Sequence, residues 1–138
     1  MEVQLAYSDS RVPTKGSKDA AGFDLYAYND FVIEAGKRML IDTGVKIALP
    51  KGCYGRIARR SGLAVKGIDV AAGICDRDFR GVYMVLLVNN STTTYTGHKN
   101  DRIAQLILER YVHDIEMKVV SELSETDRGE AGFGSTGV

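Results

Sequence analysis

Apolar residues in this chain recur in short runs, cut by glycine and polar turns before any run reaches helical length. Val45-Lys46-Ile47-Ala48-Leu49 alternates between apolar and polar positions until Pro50-Lys51-Gly52 turns the chain, the pattern of a half-buried strand. Residues 53–59 read as a second strand, and residues 24–28, 39–43 and 103–109 fit three more. Residues 82–88 form a continuous apolar run, as expected of a strand covered on both faces or lying at a subunit contact. No 3.6-residue period is sustained over a long window; the one helical hint is residues 61–66, about a turn and a half. Many short strands with regular turns predict an all-β jelly-roll or barrel with one short helix.

At 138 residues the chain is expected to be a single domain, 1–138, large enough to bury a core without covalent staples. Eighteen basic residues balance eighteen acidic ones, which argues against a general nucleic-acid binder but leaves room for a local basic pocket. Cys53 and Cys75 are far apart and lack a C-x-x-C partner, so the expectation is two buried free thiols in a reducing compartment. Polar residues soon follow Met1-Glu2-Val3-Gln4-Leu5, and no apolar run approaches membrane-spanning length. A soluble, intracellular protein is expected, with no membrane or nucleic-acid partner. The overlapping sequons in Asn89-Asn90-Ser91-Thr92 then mark a polar turn.

Five segments carry residue types suited to chemistry. Arg59-Arg60-Ser61-Gly62-Leu63 places guanidiniums and a hydroxyl at a strand-to-helix junction, suited either to cradling a phosphate or to a Ser N-cap beside solvated arginines. Gly73-Ile74-Cys75-Asp76-Arg77-Asp78-Phe79-Arg80-Gly81 reads as a charged hairpin. Its backbone could read the edge of a planar base and its Asp could activate a water, or it could be only a polar tip. Gln105 interrupts the apolar run that follows Asn100-Asp101-Arg102 and faces away from Ala104 and Leu106. Asp24 sits among small and apolar residues at a strand start, suited to local backbone donors or to metal-bound waters.

The last segment is Arg128-Gly129-Glu130-Ala131-Gly132-Phe133-Gly134-Ser135-Thr136-Gly137-Val138. Residues 132–137 spell G-x-G-x-x-G, but no helix follows, so a Rossmann site is rejected. A glycine-rich arm bearing Arg128, Phe133 and hydroxyls is suited instead to ordering over a ligand.

In this order the five segments resemble the five motifs of the trimeric deoxyuridine triphosphatases (dUTPases), over residues 18–138. The resemblance implies a jelly-roll protomer in a homotrimer, with active sites shared between subunits and residues 125–138 as a flexible arm closing one of them. It implies hydrolysis of dUTP to dUMP and pyrophosphate by in-line attack of water on the α-phosphorus. Asp76 is the expected base, and Gly73, Ile74, Asp76 itself, Phe79, Met84 and Phe133 are expected to hold uracil and deoxyribose. Arg60, Ser61, Gly62, Gln105, Arg128, Gly134, Ser135 and Thr136 are expected on the phosphates, with Mg2+ as cofactor and Asp24 holding its waters. Against the usual pattern, Phe79 stands for Tyr, Cys75 for a β-branched residue, Ala71 for Gly, Asn100 for a turn Gly and Arg59 for Pro. Asn tolerates positive φ, and Arg59 is expected to add charge near the phosphates. A related dCTP deaminase needs other groups at the base pocket, and a purely regulatory nucleotide-binding relative is disfavoured because Asp24, Arg60, Ser61, Asp76, Gln105, Arg128 and Phe133 are all present. The intact hairpin and arm favour the hydrolase.

Overall fold

A computed structural model describes residues 1–132. The strands are β1 (Glu2–Leu5), β2 (Gly22–Tyr26), β3 (Phe31–Ile33), β4 (Arg38–Asp42), β5 (Val45–Ala48), β6 (Cys53–Ala58), β7 (Ile68–Ala71), β8 (Ile74–Cys75), β9 (Met84–Asn89), β10 (Tyr95–Gly97) and β11 (Arg102–Arg110). The helix α1 (Ser61–Ala64) follows β6. The strands pair antiparallel in the orders β2-β11-β6-β8, β4-β9-β7, β1-β5 and β10-β3. The fold is all-β and of jelly-roll type, with one short helix among the described residues.

Alternation sets the core. Val45 and Ile47 point inward from β5, and Val85 and Leu87 do so from β9. Along β11 the alternation breaks once: Ile103 and Ala104 are both buried, because the register with β2 shifts between Arg102 and Ala104. Such a bulge turns successive side chains the same way. Beyond it Gln105 faces away from Ala104 and Leu106, as its position in the run predicted.

The structure decides two alternatives that the sequence left open and corrects one expectation. The run 82–88 is not enclosed on both faces within one protomer: β9 buries Val85, Leu87 and Asn89, leaving Met84, Leu86 and Val88 partly exposed. Leu40, directly opposite Leu86, is 53% exposed, so an apolar row lies on the outer face of this sheet. Ser61 does not cap α1; Arg60 holds that place with extended φ −93° and ψ 139°, and no side chain caps the helix. The two thiols are free but only half-buried.

Candidate active site

The charged hairpin opens a cavity because its two arms part. The β7–β9 ladder ends at Ala71 opposite Leu86, and the next residues turn away to pair with β6, Ile74 opposite Arg56 and Cys75 opposite Gly55. Ala72 makes that turn at φ 49°, a left-handed conformation that costs a non-glycine residue some strain. At Gly73 the backbone presses on β6, with the Ile57 N–H donating to the Gly73 carbonyl at 2.7 Å. A Cβ there would collide with the Ile57 carbonyl oxygen, so glycine is required. The tip closes through the Phe79 N–H, which donates to the Asp76 carbonyl at 3.1 Å. Arg80 fastens it by donating to the carbonyls of Arg77 and Phe79 at 2.8 Å each.

The space between the parted arms has a volume of about 210 Å³ and is lined by Ile74, Cys75, Asp76, Phe79, Tyr83 and Met84, among others. Four of the residues expected on base and sugar therefore meet in one cavity. Gly73 shapes it from behind, at the β6 contact. A larger cavity of about 500 Å³ lies on the other flank of Asp76, between Tyr54, Tyr111 and the tip. Asp76 lines both cavities, is exposed, and its carboxylate has no hydrogen-bond or ion-pair partner among the described residues. Its neighbour Cys75 has a thiol pushed up to about 11, by burial first and by the Asp76 charge second.

A second group of expected residues meets on the β2-β11-β6 sheet. The register sets Gln105 opposite Asp24 on one side and Ala58 on the other. Arg60, just past β6, brings its Nε to 3.0 Å from the Asp24 carboxylate, and Arg102 approaches the other oxygen at 3.6 Å. The Arg60 guanidinium also donates to the Arg102 carbonyl at 3.0 Å. Gln105 donates from Nε2 to the Arg59 carbonyl at 2.9 Å, pinning the junction where Ser61 and Gly62 begin α1. The Asp24 side chain is 13% exposed, and paired guanidiniums offset the cost of burying its charge. Arg59 does not add charge to this group: its guanidinium turns to Asp69 at 3.1 Å. Asn100 holds φ 69°, so the turn before Asp101 forms without glycine.

Neither cavity that Asp76 lines is bordered by Asp24, Arg60 or Gln105. The chain thus presents a slot of about 210 Å³ beside an unpartnered carboxylate, and separately a basic cluster around a partly buried one.

The family model described as dUTPase matches residues 8–137. The chain belongs to the dUTPase family. It is 51% identical over 138 residues to the deoxyuridine 5'-triphosphate nucleotidohydrolase of Kluyveromyces lactis, covering 99% of this chain and 93% of that protein. The Variola virus enzyme of the same name is 50% identical over 129 residues, with 94% and 87% covered. Among solved structures, a variant of the Staphylococcus bacteriophage 80alpha dUTPase with dUpNHpp superposes with a TM-score of 0.91 at 26% identity, covering 99% of this chain and 98% of that one. The dUTPase of S. aureus phage phi11, solved as a variant that coordinates a structural Mg(II) ion, shares the fold at a TM-score of 0.82 and 23% identity, with 90% and 98% covered.

Within this dUTPase the arm is described as far as Gly132. Arg128 is exposed, its Nε donates to the Ala131 carbonyl at 3.0 Å, and it lines neither cavity that Asp76 lines. Phe133, Gly134, Ser135 and Thr136 lie outside the described residues. Two residues of the site were missed from sequence. Arg102 pairs with Asp24, and its place beside Asp101 ahead of an apolar run was a usable signal. Tyr83, in the wall of the nucleoside-sized cavity, was hidden inside the apolar run 82–88.

Proposed function

We propose that this protein hydrolyses dUTP to dUMP and pyrophosphate, as a homotrimer in which subunits share each active site. The observation that carries the reading is the unpartnered Asp76 carboxylate at the mouth of the slot between β8 and β9. A base placed within reach of a water, next to the site where the nucleoside binds, fits in-line attack on the α-phosphorus. Backbone groups near Gly73, Ile74 and Met84 border the slot where the ladder has opened, and they suit the donor–acceptor edge of uracil. A slot this narrow discriminates against a 5-methyl group by size and against cytosine by mismatched hydrogen bonds. Phe79 forms the side expected to face the sugar.

Arg60, Ser61, Gly62 and Gln105 suit the phosphates, since fixed donors aimed at developing charge lower the barrier. Arg128, Gly134, Ser135 and Thr136 of the arm suit the terminal phosphate, and Phe133 suits the face of the base, where stacking contributes about 1–3 kcal/mol.

Magnesium, when bound by the substrate's phosphates, supplies charge neutralisation and fixes their conformation. Among the described residues, no group of three or more His, Cys, Asp and Glu forms a cluster that could hold an ion. Asp24 stands between guanidiniums, which suits contact with a metal's waters rather than with the metal itself.

Self-assembly has its own support. Met84, Leu86, Val88 and Leu40 form an apolar row on the outer sheet face. After β11, Val112, Ile115, Met117, Val119 and Leu123 are exposed, Met117 at 98%. Apolar surface of this extent marks contact with another chain. Removal of dUTP, which limits uracil in DNA, and supply of dUMP for thymidylate synthesis follow from the proposed reaction.

The test is pyrophosphate release with magnesium from dUTP, dTTP, dCTP and UTP, with Asp76→Asn alongside. Selective dUTP turnover, abolished by Asp76→Asn, is expected. A folded protein that leaves dUTP intact, or an Asp76→Asn variant of undiminished rate, overturns the reading.

A further inference from the structure

Phe79 is 44% exposed, yet its ring packs against two fixed neighbours. Its centroid lies 5.8 Å from that of Tyr83 at a 35° tilt, within the range of favourable aromatic contact. It also lies close over the backbone at Gly81, where a Cβ would come within 2.5 Å of Cζ and 2.9 Å of Cε2. The ring borders the nucleoside-sized cavity.

Tyr83 is itself fixed. It is 1% exposed, its N–H donates to the Val45 carbonyl at 2.8 Å, and its own carbonyl accepts from the Thr43 N–H at 3.3 Å. The Thr43 hydroxyl donates to the same carbonyl at 2.6 Å. The Tyr83 hydroxyl donates only weakly, to the Ile47 carbonyl at 3.4 Å. What Tyr83 presents to Phe79 is therefore a rigid ring set in the core, with its hydroxyl pointed elsewhere.

We infer that Tyr83 is a positioning residue for sugar selection, setting with Gly81 the depth at which the Phe79 ring closes the pocket against a 2′-hydroxyl. This rests on the reading that Phe79 faces the deoxyribose. Phe79 lacks a hydroxyl of its own, so its exclusion of ribose is steric and depends on where the ring stops. Removing the ring beneath it lets Phe79 sink and makes room for one more oxygen. Adding a methyl at position 81 pushes the ring the other way, into the cavity.

The experiment is the ratio of kcat/KM for dUTP over UTP in the full-length chain, for Tyr83→Leu, Tyr83→Phe, Gly81→Ala and Phe79→Ala, with thermal melts of each. Tyr83→Leu is expected to lower the ratio roughly tenfold, the scale of one small group in a pocket, through a gain in UTP turnover. Tyr83→Phe, which keeps the ring, is expected to retain the parent's ratio. Gly81→Ala is expected to raise KM for dUTP with no gain for UTP, which keeps the inference testable if Tyr83→Leu does not fold. A folded Tyr83→Leu with the parent's ratio, beside a Phe79→Ala that lowers it, overturns the role of Tyr83 alone. If Phe79→Ala leaves the ratio unmoved, the ring does not face the sugar, and the reading beneath the inference falls as well.

Discussion

Gly73 and Gly62 are both expected at the substrate, but they are glycines for different reasons. A side chain at Gly73 meets the Ile57 carbonyl, whereas Gly62 has nothing within 4 Å of where its Cβ would stand. Gly73→Ala must displace β8 from β6, with a stability cost of about 1–3 kcal/mol for overpacking and a loss of dUTP turnover. Gly62→Ala should melt close to the parent, so a fall in its activity reports a ligand that needs the space. Equal melting temperatures for the two variants would contradict the packing argument. At Cys75 the consequence is pH dependence. Burial raises its thiol from 9.0 to about 11, so the folded chain holds that proton more tightly than the unfolded chain does. Its contribution to stability is complete below pH 9.0 and is lost as pH rises toward about 11. Cys75→Val should flatten the decline of the denaturation midpoint in that window, and an unchanged slope would show that the thiol is not responsible.

At the scale of elements, three strands acting through their registers build the basic cluster. Because Gln105 stands opposite both Asp24 and Ala58, one position of β11 fixes how β2 and the end of β6 approach each other. Its amide also holds the Arg59 carbonyl at 2.9 Å, steadying the turn into α1. Gln105→Leu should cost about 0.5–1.5 kcal/mol for one neutral hydrogen bond, and raise KM for dUTP by more than that loss explains. Urea denaturation beside steady-state kinetics separates the two effects. The outward face of Gln105 was legible because period-two alternation survives in the central strand β11. The strands β3 and β10, three residues each, carry too short a pattern to be seen, and β8 is only two residues long. The run 82–88 left two readings open because its outward residues are apolar, so nothing in the pattern distinguishes a surface awaiting another chain from a second buried layer. Arg59 was misplaced because its partner, Asp69, lies ten positions on and meets it only through the fold.

For the whole molecule the question is where the arm belongs. The family match runs to residue 137, so the arm is part of the dUTPase pattern, yet Arg128 satisfies its Nε on Ala131 and touches neither residue group. Deleting residues 129–138 should therefore leave the melting temperature and the sedimentation of the assembly unchanged. It should also lower kcat/KM for dUTP by on the order of 10²-fold or more, the cost of losing donors aimed at charge that develops in the transition state. Mixing subunits decides whether the hairpin and the arm at one site come from different chains. Asp76→Asn subunits have an intact arm and a dead hairpin; truncated subunits have the reverse. Unfolded and refolded together in equal amounts, they would assemble at random in the proposed trimer, and over all trimers formed a site drawing on two different chains is complete in about a quarter of cases. Recovery of roughly that share of the parent's dUTPase rate is the expected result. If the hairpin and arm at each site belong to the same chain, no mixture regains activity, and the shared-site assembly is wrong even if the protein is a trimer.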